Sequence, residues 1–278
     1  MRLRRWARPT TDMISVYILI FFAAIAALYL FSVAPSAKKN DKKRFARDYA
    51  HRGLHGGIID ENTLEAFSAA CDAGCGIELD VQLAADGEVV VLHDYDTSRM
   101  CGTKYSVAKT DSKTLTELKM QNSGSHMPLF KDALNTVGGR VPLLIELKGE
   151  DLDTRLCDAV HKLLCEYGGE YCVESFNPVL LRKFKKLEPD TVCGILSCRM
   201  KDAKSMNIIM RFALENMLLN FLCRPDFVAY KFDELNFSAR LCHRMGAVLF
   251  AWTPRGSQQC LAAKKRFDAI IFEEQDAL

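Results

Sequence analysis

The sequence predicts an α/β barrel of eight parallel strands preceded by one membrane-spanning helix. Three observations carry this expectation. From Tyr49 onwards, short apolar runs alternate with helical patterns, which is the order of βα units around a parallel sheet. At 278 residues the chain has the length that α/β barrels routinely use as one domain. Ahead of that domain, Met13–Val33 is almost wholly apolar, about the ~20 residues a helix needs to cross a hydrocarbon layer of ~30 Å.

The elements follow in order. Residues 1–12 are a basic tail, and no charge occurs between Asp12 and Lys38. A cleaved secretory signal competes for this region, because Arg2, Arg4, Arg5 and Arg8 make a suitable leading segment. Its apolar part should run only ~7–15 residues, however, so an uncleaved anchor over 13–33 is the expectation. Residues 34–47 read as a basic tether and 48–278 as the barrel. Strands are expected at 49–52, 76–81, 89–93, 141–147, 171–175, 191–196, 227–230, 247–252 and 269–272. Helices are expected at 63–73, 114–120, 129–137, 151–167, 178–187, 206–222, 235–245 and 257–266. Asn62 with Glu65 is a plausible capping pair for the first of these helices. Nine apolar runs is one too many for eight strands. Asp86-Gly87 is a tight-turn dipeptide, so residues 78–93 read as a hairpin with one arm outside the barrel, followed by a polar loop over 94–113. Alternation alone also allows a doubly wound open sheet, but no Gly-rich phosphate loop supports it.

Composition narrows the partners. Residues 1–47 carry ten Lys/Arg against two Asp, whereas the rest carries 27 Lys/Arg against 33 Asp/Glu. An acidic main domain argues against nucleic acid, which needs a basic face, and the positive charge sits where it could meet a membrane surface. Eleven cysteines, odd in number and without a Cys-x-x-Cys, read as buried reduced thiols rather than a disulfide framework or zinc site. That leans towards a reducing compartment and a cytoplasmic catalytic domain, as does the cluster Lys38, Lys39, Lys42, Lys43, Arg44 and Arg47 after the anchor. A short basic N-terminus before an apolar run argues for the opposite side.

Chemistry-bearing residues recur at the expected strand ends, where barrel enzymes carry their catalytic groups. His51 and Arg52 end the first strand and His93 ends its run. Glu78 and Asp80 share a face at i, i+2 spacing, as do Glu146 and Lys148. Taken singly, each is as well explained by a salt bridge or a satisfied core histidine; polar groups at five strand ends are not, because a packed interior could not bury them unpaired. Imidazoles move protons near neutral pH, carboxylates hold hard divalent cations, and arginine grips phosphate.

Ala50-His51-Arg52-Gly53, Glu61-Asn62-Thr63, Glu78-Leu79-Asp80, His93-Asp94, Ile145-Glu146-Leu147-Lys148 and Ser175-Phe176 occur in the order and near the spacing of one family. From about Tyr49 to the C-terminus the chain resembles the glycerophosphodiester phosphodiesterases. The resemblance implies a TIM-type barrel that hydrolyses glycerophosphodiesters to an alcohol and sn-glycerol 3-phosphate. It implies one divalent cation, Ca²⁺ or Mg²⁺ with Mn²⁺ chemically close, held by Glu78, Asp80 and Glu146. It further implies His51 and His93 as the acid–base pair and Arg52 and Lys148 on the phosphate. Glu61 would orient Arg52 or stand behind the metal, and Phe176 and Trp252 would face the glycerol, although aromatics at strand ends also simply pack. Trp252-Thr253-Pro254-Arg255 and Phe272-Glu273-Glu274-Gln275 depart from the family's common Trp-Thr-Val-Asn and Thr-Asp-x-Pro, which bears on the choice of alcohol. Two other readings stand beside this one: a lysophospholipase D acting on membrane lysolipids, and a non-catalytic barrel that binds lipid headgroups.

Overall fold

The computed structural model describes residues 11–38, 41–149, 151–200 and 206–273. The tail up to residue 10, Lys39 and the Glu274-Gln275 pair lie outside these residues. The apolar run forms α1 (Thr11–Val33), exposed from Met13 to Leu28. Its last turn is part of the globular body. Tyr29 Oη and Ser238 Oγ hydrogen-bond at 2.8 Å, and the rings of Phe31 and Phe221 stack at 6.1 Å. Arg224 Nη1 donates to the carbonyls of Phe31 (2.7 Å) and Ala34 (3.1 Å), satisfying acceptors that a helix end leaves open. The stretch read as a tether also lies against the barrel. Ser36 N donates to Pro225 O at 2.9 Å, and a 3-10 turn, Lys42–Phe45, seats Phe45 beneath Tyr49.

The barrel begins with β1 (Tyr49–Ala50), α2 (Leu64–Asp72), β2 (Gly76–Leu83) and β3 (Val89–Val91). Three short helices follow, α3 (Ser98–Cys101), α4 (Ser112–Glu117) and α5 (Phe130–Val137). Regular βα units complete it: β4 (Leu143–Leu147), α6 (Arg155–Leu164), β5 (Tyr171–Ser175), α7 (Pro178–Leu187) and β6 (Cys193–Ser197). Then come α8 (Ile208–Glu215), α9 (Asn220–Cys223), β7 (Phe227–Lys231), α10 (Phe237–Arg244), β8 (Val248–Arg255), α11 (Gly256–Lys264) and β9 (Ala269–Glu273). β1 pairs in parallel with both β2 and β9, with Tyr49 opposite Gly76 and Ile271, so the sheet closes on itself. An open doubly wound sheet is thereby excluded. β3 runs antiparallel to β2, which bears out the hairpin and leaves eight parallel strands in the barrel.

Alternation along each strand sorts two apolar layers. Ile77, Leu79, Leu143, Ile145 and Val173 face the helices. Tyr49, Leu144, Cys172, Phe227 and Phe250 fill the barrel interior, where the rings of Phe227 and Phe250 stack at 4.7 Å. A Cβ on Gly194 would lie 2.0 Å from the Phe227 ring, so β6 needs glycine there for Phe227 to fit.

Two local expectations are corrected. Thr63, not Asn62, caps α2: its Oγ1 accepts from Ala66 N, while Asn62 adopts φ +57° and turns inward to another partner. The single helix read over 206–222 is two. Ser197 Oγ donates to Leu214 O (3.0 Å) and Asn236 Nδ2 to Glu215 O (2.7 Å), occupying carbonyls that a continuing helix would use, and Met217 turns left-handed at φ +54°.

Candidate active site

At the C-terminal end of β1 the chain makes a turn that only a glycine permits at its second position. Arg52 has φ +56° and Gly53 +80°, and a Cβ on Gly53 would sit 2.8 Å from Ala66 Cβ. The turn brings Arg52 N onto Glu78 Oε2 at 2.8 Å and its guanidinium onto Glu61 Oε1 at 2.7 Å, with Arg52 Nε 3.4 Å from Asp80 Oδ2. Asn62 Nδ2 donates to that same Asp80 oxygen at 2.9 Å.

Above the apolar interior lies a layer of carboxylates. Strand register places Asp80 opposite Glu146 and Glu146 opposite Glu174, and Glu78 is one inward position earlier on β2. All four are buried. Glu78, Asp80 and Glu146 offer oxygens within 4.8 Å of one another. Lys148 Nζ is 3.1 Å from Glu146 Oε1 and 3.4 Å from Asp80 Oδ1. Burial and neighbouring carboxylates push Glu78 and Glu174 well above the usual range, and burial takes Glu146 to about 7 against the pull of Lys148. Burial also acts to raise Asp80, but Lys148 and Arg52 prevail and hold it well below that range. Four buried carboxylates against two cations leave an excess of negative charge, and one Glu174 oxygen has no hydrogen-bond partner. An all-oxygen, charge-rich donor set of this kind fits a hard divalent cation and does not suit zinc.

Each histidine has a carboxylate behind it. His93 Nδ1 is 2.7 Å from Asp94 Oδ1, and Asp94 Oδ2 accepts from Arg99 Nε at 2.6 Å. Arg99 also grips Glu61 with both terminal nitrogens (2.7 and 3.0 Å), linking the Arg52 support to the His93 support. His51 Nδ1 is 3.4 Å from Glu273 Oε2, which accepts from Arg255 Nη2 at 2.9 Å. His51 and Arg255 hold Glu273 down at about 2. Burial lowers the proton affinity of both imidazoles against the pull of their carboxylates, favouring the neutral ring.

A cavity of about 290 Å³ opens over these groups. Of the residues expected from the sequence, His51, Arg52, Glu78, His93, Glu146, Phe176 and Trp252 border it. Asp80, Lys148 and Glu61 are not among its lining residues; Lys148 lies among the carboxylates and Glu61 between two arginines. Phe176 and Trp252 meet edge to face at 5.8 Å. Glu174 and Arg99 carry no mark in the sequence reading, whereas Glu273 and Arg255, which stand out there only as departures bearing on the alcohol, lie behind His51. Glu174 repeats the inward position of Glu146 one strand later, and that was the available signal. His55 joins His51 and Glu273 in a second group of close ligand atoms.

Comparison with known proteins agrees with this geometry. The model of the glycerophosphoryl diester phosphodiesterase family matches residues 51–276. A glycerophosphodiester phosphodiesterase of Caldanaerobacter subterraneus subsp. tengcongensis is 30% identical over 246 residues, 82% of this chain and 94% of that protein. Among solved structures, a phosphodiesterase of Oleispira antarctica in complex with the product sn-glycerol-3-phosphate is similar at TM-score 0.68 and 22% identity, over 81% of this chain and 92% of its own. A glycerophosphodiester phosphodiesterase of Thermotoga maritima is similar at TM-score 0.62 and 26% identity, over 81% and 94% of the two chains.

Proposed function

The chain belongs to the glycerophosphoryl diester phosphodiesterase family and is an enzyme of that class; from that premise we propose that its hydrolysis of glycerophosphodiesters depends on a divalent cation and on the pair His51 and His93. The single observation that carries this reading is the meeting of both histidines and the carboxylates Glu78 and Glu146 around one cavity. Glu78, Asp80 and Glu146 would hold the cation, Ca²⁺ or Mg²⁺. Bound there, it would offset negative charge gathering on a phosphoryl oxygen. Arg52 adds positive charge at the same end and is positioned for a phosphate oxygen by Glu61. One neutral imidazole accepts the proton of the attacking hydroxyl, from water or from the substrate's own glycerol. The other, protonated, gives its proton to the departing alkoxide; attack by water yields the alcohol and glycerol 3-phosphate directly, whereas attack by the glycerol hydroxyl yields the alcohol and a cyclic phosphate that water then opens to glycerol 3-phosphate. Phe176 and Trp252 supply an apolar wall for the glycerol side.

We further infer that α1 is retained as a membrane anchor, because its last turn is hydrogen-bonded into the barrel's flank. The test of the chemistry uses purified full-length protein in detergent with glycerophosphocholine as substrate. Glu78→Gln should remove cation-stimulated turnover while the circular dichroism spectrum is unchanged. His51→Ala and His93→Ala should each lose ~10²–10⁴-fold in kcat, and the double variant little more. Full activity in excess chelator would refute the metal, and near-normal turnover in either single histidine variant would refute the pair.

A further inference from the structure

The last turn of α1 has a direction relative to the barrel. Tyr29 bonds Ser238 in the first turn of α10, which follows β7 and so starts at the catalytic end. Further along, the carbonyl of Val33 accepts from Asn220 at the start of α9, and that of Ala34 from Arg224 just past its end. Ser36 then bonds Pro225, which leads into the N-terminal end of β7. Residues 29–36 therefore descend the barrel's flank from the catalytic end to the opposite one. Residues before Tyr29 project past the catalytic end, and helical residues 11–28 at 1.5 Å per residue extend roughly 27 Å beyond it, close to the ~30 Å of a hydrocarbon layer.

The exposed apolar side chains lie at that same end. Outside α1, the described large apolar residues more than 60% exposed are Ile58, Leu152, Ile208, Ile209, Phe237 and Leu261. The first five sit in segments that follow the C-terminal ends of β1, β4, β6 and β7, in the connection or the first helical turn; Leu261 is further along α11. Ile58 is 81% and Ile209 76% exposed, an arrangement a purely soluble surface has no reason to keep at one end.

We propose that the catalytic end of the barrel is a second membrane-contact surface, held mouth-down on the phospholipid bilayer that α1 crosses, with Ile58, Leu152, Ile208, Ile209 and Phe237 seated among the headgroups. The proposal rests on the reading of α1 as a membrane anchor. The bilayer is the occupant because α1 carries it to this face and to no other. The cavity then opens on the lipid surface, and a phosphodiester bearing an acyl chain reaches it without leaving the membrane.

The test reconstitutes the full chain in phosphatidylcholine vesicles whose acyl chains are brominated. The parent protein is compared with Leu152→Trp, Ile209→Trp and Leu261→Trp. Apolar side chains of interfacial segments sit ~5–10 Å into the headgroup–acyl boundary, so bromine should quench the added emission at 152 and 209 about twofold or more and leave that at 261 unchanged. Emission at 152 and 209 as unquenched as at 261, in protein that floats with the vesicles, overturns the surface while leaving the anchor intact. Protein that does not float with the vesicles overturns the anchor, and the surface with it.

Discussion

His51 and His93 reach one cavity from the first strand and from the hairpin, each backed by a carboxylate that an arginine holds. The arrangement fixes each ring and sets its proton affinity, since a carboxylate behind an imidazole favours the charged form whereas burial disfavours it. Glu273→Gln removes the first influence from His51 and leaves the second. Its pKa should then fall further below the ordinary value, so the limb of the pH profile that His51 governs moves to lower pH. Activity at the optimum should drop roughly 10–100-fold, the range typical when a carboxylate behind a metal-bound imidazole is lost. A pH series of kcat/KM checks this. A reduced rate with an unmoved profile would mean that Glu273 acts only through packing.

Gly194 and Phe227 set the limits of the barrel interior at the level of strands. Gly194→Val puts carbon where the Phe227 ring lies, and Phe227 is itself stacked on Phe250 at 4.7 Å. Overpacking of this kind typically costs ~1–3 kcal/mol or more, so the urea midpoint should fall, and Phe227→Leu in the same chain should recover part of the loss. An unchanged midpoint would mean that the interior has room. The strands were legible in the sequence because their alternation is regular: Ile77-Glu78-Leu79-Asp80 and Ile145-Glu146-Leu147 state in their own letters which side chains face inward. Glu174 was less visible because one acidic residue in a strand, without a second at i+2, reads as an ordinary salt-bridge partner. Arg99 and Glu273 were hidden for a different reason. Arg99 lies in a stretch that reads only as polar loop, and Glu273 stands out in sequence only as a departure bearing on the alcohol, its place behind His51 being set by the pairing of β1 with β9. Asn62 departs from its expected cap because a local capping pattern is indistinguishable, in sequence, from a residue that bonds a strand 18 positions away.

For the whole molecule, α1 and the barrel form one body, and the expected outcome is an integral membrane protein. It should sediment with membranes, resist extraction by high salt and dissolve in detergent. Eight of the eleven cysteines are buried. The basic residues after α1 set the expectation to be tested, a cytoplasmic catalytic domain. Protease added to intact cells should then leave the barrel whole; digestion would place it outside. The pairing of β1 with β9 has a consequence for how the enzyme comes into being. His51 leaves the ribosome well before Glu273, on the order of tens of seconds apart at ordinary rates of synthesis. Until the final strand emerges, Tyr49 has no neighbour on one side and His51 no carboxylate behind it. A nascent chain halted before Ala269 would lack both the strand that closes the sheet and the carboxylate behind His51, so the order of synthesis itself delays completion of the site.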